Sequence, residues 1–255
     1  MTRSISKFRR TLSHGLGITL SAASFGIAVL LTAGVISSSA QAAVTLRKVT
    51  VERVVDGDTV HVRDEKQNLL KIRMQGIDSP EWHLVTDAGV VGQLPWGRDA
   101  GEALNRMIPK GARVELEDFG HDKYGRTLGH LTHRGRNINI EQVRSGQAIS
   151  YIICEAGRCD EDFLAEIHAG EVVDACHQAE TQGLGVFNPR NRLREMPFEF
   201  RLKHQRRKAD KFVGNLKTRT YFSPNQYKQV PVCDRIFFLS EKDAQALGFT
   251  LDSKN

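Results

Sequence analysis

Residues 49–81 alternate apolar and polar side chains around two acidic turns, a pattern that few folds accommodate. Val49-Thr-Val-Glu-Arg-Val54, Thr59-Val-His-Val62 and Leu70-Lys-Ile-Arg-Met74 each alternate from one face to the other, as half-buried strands do. Asp56-Gly57, between the first two, is a hairpin signal. Asp58, Asp78, Glu81 and Arg73 therefore fall at strand ends and turns. A rigid sheet that projects acids toward one point can hold a hard cation through oxygen ligands. An arginine from the same sheet can grip a phosphate by parallel hydrogen bonds. Taken singly, Asp-Gly-Asp-Thr and Asp-Ser-Pro-Glu are ordinary turn sequences.

Beyond this stretch, residues 82–95 are mixed and glycine-containing and read as a loop. Ala100, Ala103, Leu104, Met107 and Ile108 recur at helical spacing and are closed by Pro109 and Gly111. Arg113-Val-Glu-Leu-Glu117 and Arg126-Thr-Leu-Gly-His-Leu131 read as strands, and residues 138–147 as a short helix. Asp160-Glu-Asp162 opens a longer helix, since acids favour a helix N-terminus. Leu164, Ile167, Val172, Ala175, Cys176 and Ala179 supply its apolar face, and Gly183 and Gly185 end it. A block of strands with helices between and after them suggests a small barrel.

A further cluster, Asp122-Lys-Tyr-Gly-Arg126, completes a set of three motifs. In this order and at these spacings, residues 49–187 resemble the staphylococcal nuclease (thermonuclease) family. The resemblance implies an α+β fold, a five-stranded OB-type β-barrel with three helices. It also implies a Ca²⁺-dependent endonuclease acting on DNA and RNA and leaving 3′-phosphate ends. Asp58 and Asp78, with the backbone carbonyl of Ser79, would then hold the cation. Glu81 would be the general base. Arg73 and Arg126 would clamp the scissile phosphate, and Lys123 and Tyr124 would contact its neighbour. Tyr151 aligns loosely with a further site position. Ser79 stands where the family has threonine, a mild change for a backbone ligand. An insertion at residues 155–160 alters the expected far rim of the cleft. The nine histidines form no metal-binding spacing.

The first residues carry Arg3, Lys7, Arg9 and Arg10, with an apolar run of 22 residues at 15–36 and then Ala40-Gln-Ala42. This is the pattern of a secretory signal peptide cut after Ala42, with an uncleaved anchor as the alternative. Export predicts a periplasmic or secreted protein, with membrane attachment only if the leader persists. Residues 43–189 hold 17 Lys/Arg against 23 Asp/Glu, whereas residues 190–219 hold 11 against 3. The overall net charge of +6 thus conceals an acidic domain followed by a basic segment. An acidic domain suits a polyanion poorly unless metal and arginines reverse the local field. Four cysteines in an oxidising compartment favour disulfides; Cys154 and Cys159 could close a small loop, with Cys176 as the competing partner.

The expected organisation is a leader (1–42), a nuclease-like domain (43–189), a basic linker or phosphate-binding arm (190–219) and a small C-terminal segment (220–255). The last resembles a fragment of the zinc domain of bacterial Ada repair proteins. Of that domain's cysteine cluster only Cys233 remains, so no zinc is expected there. Nucleic acid is the expected substrate, and no feature points to a stable protein partner. A non-catalytic nucleic-acid-binding module is the alternative; it fits poorly with three acids and two arginines all present.

Overall fold

The alternating stretch folds as a meander. In the computed structural model, which describes residues 45–154 and 159–252, β1 (Thr45–Val54), β2 (Thr59–Arg63) and β3 (Leu69–Met74) are successive antiparallel strands. β4 (Ile77–Asp78), a hairpin of β5 (Leu84–Thr86) and β6 (Gly89–Val91), and helix α1 (Trp96–Met107) follow. β7 (Arg113–His121) returns along β1, and β8 (Thr127–His133) along β7. β8 also runs parallel to β3, which closes the five strands into the OB-type barrel. β9 (Arg136–Asn137) extends the edge and leads into α2 (Ile138–Arg144).

Val60, Val62, Ile72, Leu104, Leu116 and Leu131 are fully buried in the core. Each such burial is worth about 1.5–3 kcal/mol relative to exposure, so a one-residue slip that turned these side chains outward is strongly disfavoured. The same register pairs Thr59 with Arg73 and brings the Asp56–Asp58 turn to the arginine's end of the barrel. β10 (Ile149–Ser150) pairs with β4 and sets Ile149 opposite Asp78.

The remaining chain departs from the sequence-based expectation in three places. The stretch expected as a loop at 82–95 contains the β5–β6 hairpin, whose Val85 and Val90 point to solvent and leave no alternating signal. The long helix expected from Asp160 is two, α3 (Glu161–Glu166) and α4 (Ala169–Gln182). His168 divides them at a left-handed φ of 51° that no helix can continue. Its ring nitrogens meet Glu171 Oε1 at 3.0 Å and Glu117 Oε2 at 3.4 Å, which holds the break.

The third difference is the largest. Residues 190–219 are neither a passive linker nor a free arm. Leu193, Met196 and Phe198 are buried in the barrel's own hydrophobic core, and α5 (Pro197–His204) packs there. β11 (Ile152–Cys154) continues from the barrel and pairs in parallel with β14 (Arg235–Phe238). Around it β12 (Phe212–Asn215), β13 (Thr220–Phe222) and β15 (Thr250–Leu251) complete a second sheet, with α6 (Glu241–Ala246) packed against it. The last strand of the nuclease-like region is thus an edge strand of the C-terminal sheet. Cys154 is bonded to Cys159, and Cys176 to Cys233, which ties α4 to the start of β14. Residues 45–252 belong to one folded unit rather than to separate domains. The leader and residues 155–158 of the insertion lie outside the described residues. Among the described residues no helix is long and apolar enough to cross a membrane.

His130 on β8 is fully buried beside His168, and burial followed by that neighbour pushes its imidazole down to about 3. The folded value lies below the ordinary 6.5, so the folded protein takes up fewer protons than the unfolded chain. Stability from this group is complete above pH 6.5 and is lost as pH falls toward 3, by up to about 1.4 kcal/mol per pH unit. Thermal unfolding measured across this window should show a steep acid loss in the wild type and a shallower one in His130→Gln. Parallel profiles would contradict the assignment.

Candidate active site

The site is built where the first turn, the end of β3 and β4 converge. Asp56 Oδ1 accepts from the Asp58 N–H at 3.1 Å, so the turn is closed by its own acid. Gly57 at its tip is demanded by close packing. A Cβ there would lie 2.6 Å from Ala100 Cβ and 2.7 Å from Ser79 Cβ. The Gly57 carbonyl accepts from Gln142 Nε2 at 2.7 Å, an anchor from α2. Asp58 Oδ2 accepts from the Ser79 N–H at 2.8 Å and lies 3.0 Å from Arg73 Nη1. Arg73 Nη2 donates to Asp78 Oδ1 at 3.1 Å. Asp58, Arg73, Asp78 and Ser79 therefore form one rigid floor.

Glu81 follows on the loop after β4. Its backbone is locked by Gln93: the Glu81 N–H donates to Gln93 Oε1 at 3.2 Å, and the Gln93 N–H donates to the Glu81 carbonyl at 2.8 Å. Gln93 in turn donates to the Glu195 carbonyl at 2.7 Å, which couples the loop to the C-terminal segment. Burial pushes the Glu81 carboxyl upward, partly countered by Arg201. Burial likewise raises Asp78, which has no exposed surface. Burial, with Asp58 beside it, lifts Asp56 to about 7.

Arg126 lines the same cleft, of about 1000 Å³, from the β7–β8 turn. Its Nε donates to Asp122 Oδ2 at 2.8 Å, and Asp122 Oδ1 accepts from the Tyr124 and Arg126 N–H groups. The turn motif thus orients its own arginine. Lys123 and Tyr124 stand on the rim, the Tyr124 ring largely exposed and the Lys123 ammonium 5.2 Å from its centroid. Tyr151 lies between the two sheets, stacked on Phe198, with its hydroxyl pushed up to about 12 by burial and then by Asp78.

All eight residues singled out for cation, catalysis or phosphate contact, from Asp58 to Arg126, line or floor this one cleft. Cys154 and Cys159 are not among its lining residues; their disulfide closes the end of β11. Sequence reasoning missed Arg201 on α5. Its Nη1 and Nη2 donate to Asp78 Oδ1 and Oδ2 at 2.8 and 2.9 Å, and Nη1 also meets Glu81 Oε1 at 2.6 Å. One arginine within a basic run carries no local signal. The flanking Met-Pro-Phe-Glu-Phe, with proline at a helix start and buried aromatics, was the available clue that the run is folded.

The donor set is oxygen only, which suits a hard cation such as Ca²⁺ or Mg²⁺. Four carboxylates, Asp56, Asp58, Asp78 and Glu81, meet two guanidiniums, Arg73 and Arg201. With all four ionised, that leaves a deficit of two positive charges. A divalent ion matches it in sign and size.

Residues 71–170 match the family described as Staphylococcal nuclease homologue. Endonuclease YhcR of Bacillus subtilis is 33% identical over 203 residues, covering 78% of this chain and 16% of that protein. An "Uncharacterized endonuclease" of Escherichia coli O157:H7 is 33% identical over 102 residues, covering 40% of this chain and 59% of its own. One of the same description from Haemophilus influenzae is 29% identical over 101 residues, 40% of this chain and 51% of its own. The chain thus spans a small part of the first relative and between half and three fifths of the others.

The packing at Gly57 gives a direct test. Gly57→Ala should destabilise the protein by about 1–3 kcal/mol, because backbone and core on both sides must shift. Gly170→Ala, where an added Cβ meets nothing within 4 Å, is the matched control and should be near neutral. Urea denaturation of the two variants measures the contrast.

Proposed function

Because residues 71–170 match the staphylococcal nuclease family, we propose that this protein is an exported, Ca²⁺-dependent endonuclease that hydrolyses DNA and RNA and leaves 3′-phosphate ends. The observation that carries the proposal is the convergence of Asp58, Asp78, Glu81 and Arg73 on one floor of the cleft that Arg126 also lines. The endonuclease names of the similar proteins support it. Export is supported by the leader pattern, and the disulfides Cys154–Cys159 and Cys176–Cys233 suit an oxidising compartment.

Asp58, Asp78 and the Ser79 backbone would hold the cation, which when bound neutralises charge on the phosphoryl oxygens. Glu81, with its carboxyl raised by burial, takes a proton from the attacking water. The water oxygen bonds to phosphorus as the bond from phosphorus to the 5′ oxygen breaks, so the phosphate stays on the 3′ side. Arg73, fixed by both floor aspartates, and Arg126, fixed by Asp122, donate to the phosphoryl oxygens as charge builds on them. Arg126 also donates to the departing 5′ oxygen, which takes its proton from solvent. Lys123 and Tyr124 on the rim position the neighbouring phosphate. The acids would otherwise repel a polyanion; cation and arginines together reverse the field.

Digestion of plasmid, single-stranded DNA and RNA by residues 43–255 should proceed with Ca²⁺, stop in excess chelator and return when Ca²⁺ is restored. Undiminished activity in chelator would remove the cation from the site.

Glu81→Gln keeps the shape and removes the base, and kcat should drop by at least about 100-fold. Arg73→Lys and Arg126→Lys keep the charge and lose the planar fork, and both should lower kcat/KM severely. An Arg126→Lys enzyme with wild-type kcat/KM would retire that arginine as a phosphate clamp.

A further inference from the structure

We propose that Arg201 is a positioning residue of this site: it holds Asp78 and Glu81 in place as a tethered cation, and a divalent ion binds by displacing it. The inference rests on the cation reading above. Asp78 is completely buried, and both its oxygens are engaged, Oδ1 by Arg201 and Arg73 and Oδ2 by Arg201. Glu81 Oε1 is held by the same Arg201 nitrogen that reaches Asp78 Oδ1. A hard cation needs such oxygens at about 2.3–2.6 Å, a position that a guanidinium paired to both Asp78 oxygens already fills. Two positive groups cannot share that carboxylate face, so seating one requires the other to leave.

The surroundings allow Arg201 to leave without unfolding. Its side chain is 25% exposed and borders the open cleft. The Tyr151 ring already lies 5.9 Å from its Cζ, so a guanidinium that releases the carboxylates keeps an aromatic face beside it. Helix α5 stays where it is, held by Phe198 in the core. Arginine suits the task better than lysine, since the planar fork pairs both carboxylate oxygens at once. With Arg201 in place, the acids are arranged before any ion arrives, and the apparent affinity for the ion is reduced by the competition.

The test is calcium binding to the full chain without nucleic acid, followed by isothermal titration calorimetry. Arg201→Gln should bind Ca²⁺ roughly 10- to 100-fold more tightly than wild type, the worth of a charge-assisted hydrogen-bonded pair. Arg201→Lys, which keeps the charge and loses the fork, should fall between them. Metal-free Arg201→Gln should melt lower than wild type, and saturating Ca²⁺ should raise its Tm more. Equal or weaker binding by Arg201→Gln overturns the proposal while leaving the cation reading intact. So does Arg201→Lys binding no tighter than wild type, since charge alone would then account for the effect. If no form binds Ca²⁺, the cation reading falls and this inference with it. Should Arg201→Gln fail to fold, the lysine variant alone decides.

Discussion

The burial of several carboxylates at one end of the barrel is the constraint on which the rest of the structure depends. Moving a carboxylate out of water costs several kcal/mol unless opposite charge and hydrogen bonds accompany it. Asp78, with no exposed surface, is acceptable only because Arg73 and Arg201 both reach it. Those arginines come from opposite ends of the folded chain. Arg73 belongs to the barrel, and Arg201 lies 123 residues beyond Asp78. The barrel alone would leave the acid cluster with one counter-charge fewer. The C-terminal segment is therefore part of the site's electrostatics rather than an attachment to it.

This dependence accounts for the unequal charge distribution along the chain. The acidic residues 43–189 and the basic residues 190–219 are complementary surfaces of one folded unit. Arg192 pairs with Glu180 and Arg219 with Glu161, at 2.8 and 3.1 Å, while Arg201 takes the buried carboxylates. The exposed pairs are worth little individually. Much more comes from the apolar contacts that accompany them, Leu193, Met196 and Phe198 in the barrel core. The strand pairing of β11 with β14 and the Cys176–Cys233 bond fix the segment at two further points. A run that looked solvated by charge count is held by the apolar residues spaced through it.

The barrel was legible because alternation, turn chemistry and burial agree in residues 49–74: Val60, Val62, Ile72 and Met74 alternate in sequence and are buried in the structure. The floor of the site was legible through the family resemblance: the sequences around Asp58, Asp78 and Glu81 are ordinary when taken singly, and Asp122-Lys-Tyr-Gly-Arg126 completes the set that marks them. What escaped depends on contacts distant in sequence. Gln93 and Gln142 are unremarkable glutamines until their amides are seen to lock the Glu81 loop and the Gly57 turn. Arg201 is one of 11 basic residues in its segment, and nothing local distinguishes it from those facing solvent. The break at His168 escaped because an apolar face continues past it, and only the left-handed backbone there interrupts the helix. Parallel pairing of β11 with β14 joins segments about 80 residues apart, a distance at which periodicity is silent.

One consequence concerns how a polyanion reaches an acidic floor. Charges at the rim and charges at the floor act over different ranges. Lys123 and Arg207 border the cleft where solvent and salt reach them, so their attraction is screened beyond about 8–10 Å at moderate ionic strength. Arg73 and Arg201 lie inside, and salt screens a partly buried pair much less. On the proposed function, rising salt should therefore weaken capture of long nucleic acid while leaving the internal arrangement of acids and arginines intact. Both kinds of charge border the cleft from the C-terminal segment as well as from the barrel, since Arg201, Arg207 and Lys211 follow Glu195 in the chain. Removing that segment would take away part of the attracting rim and one of the two arginines that make a buried Asp78 tolerable. An arm could be cut without disturbing the chemistry; this segment could not, because the barrel's acids are buried against it.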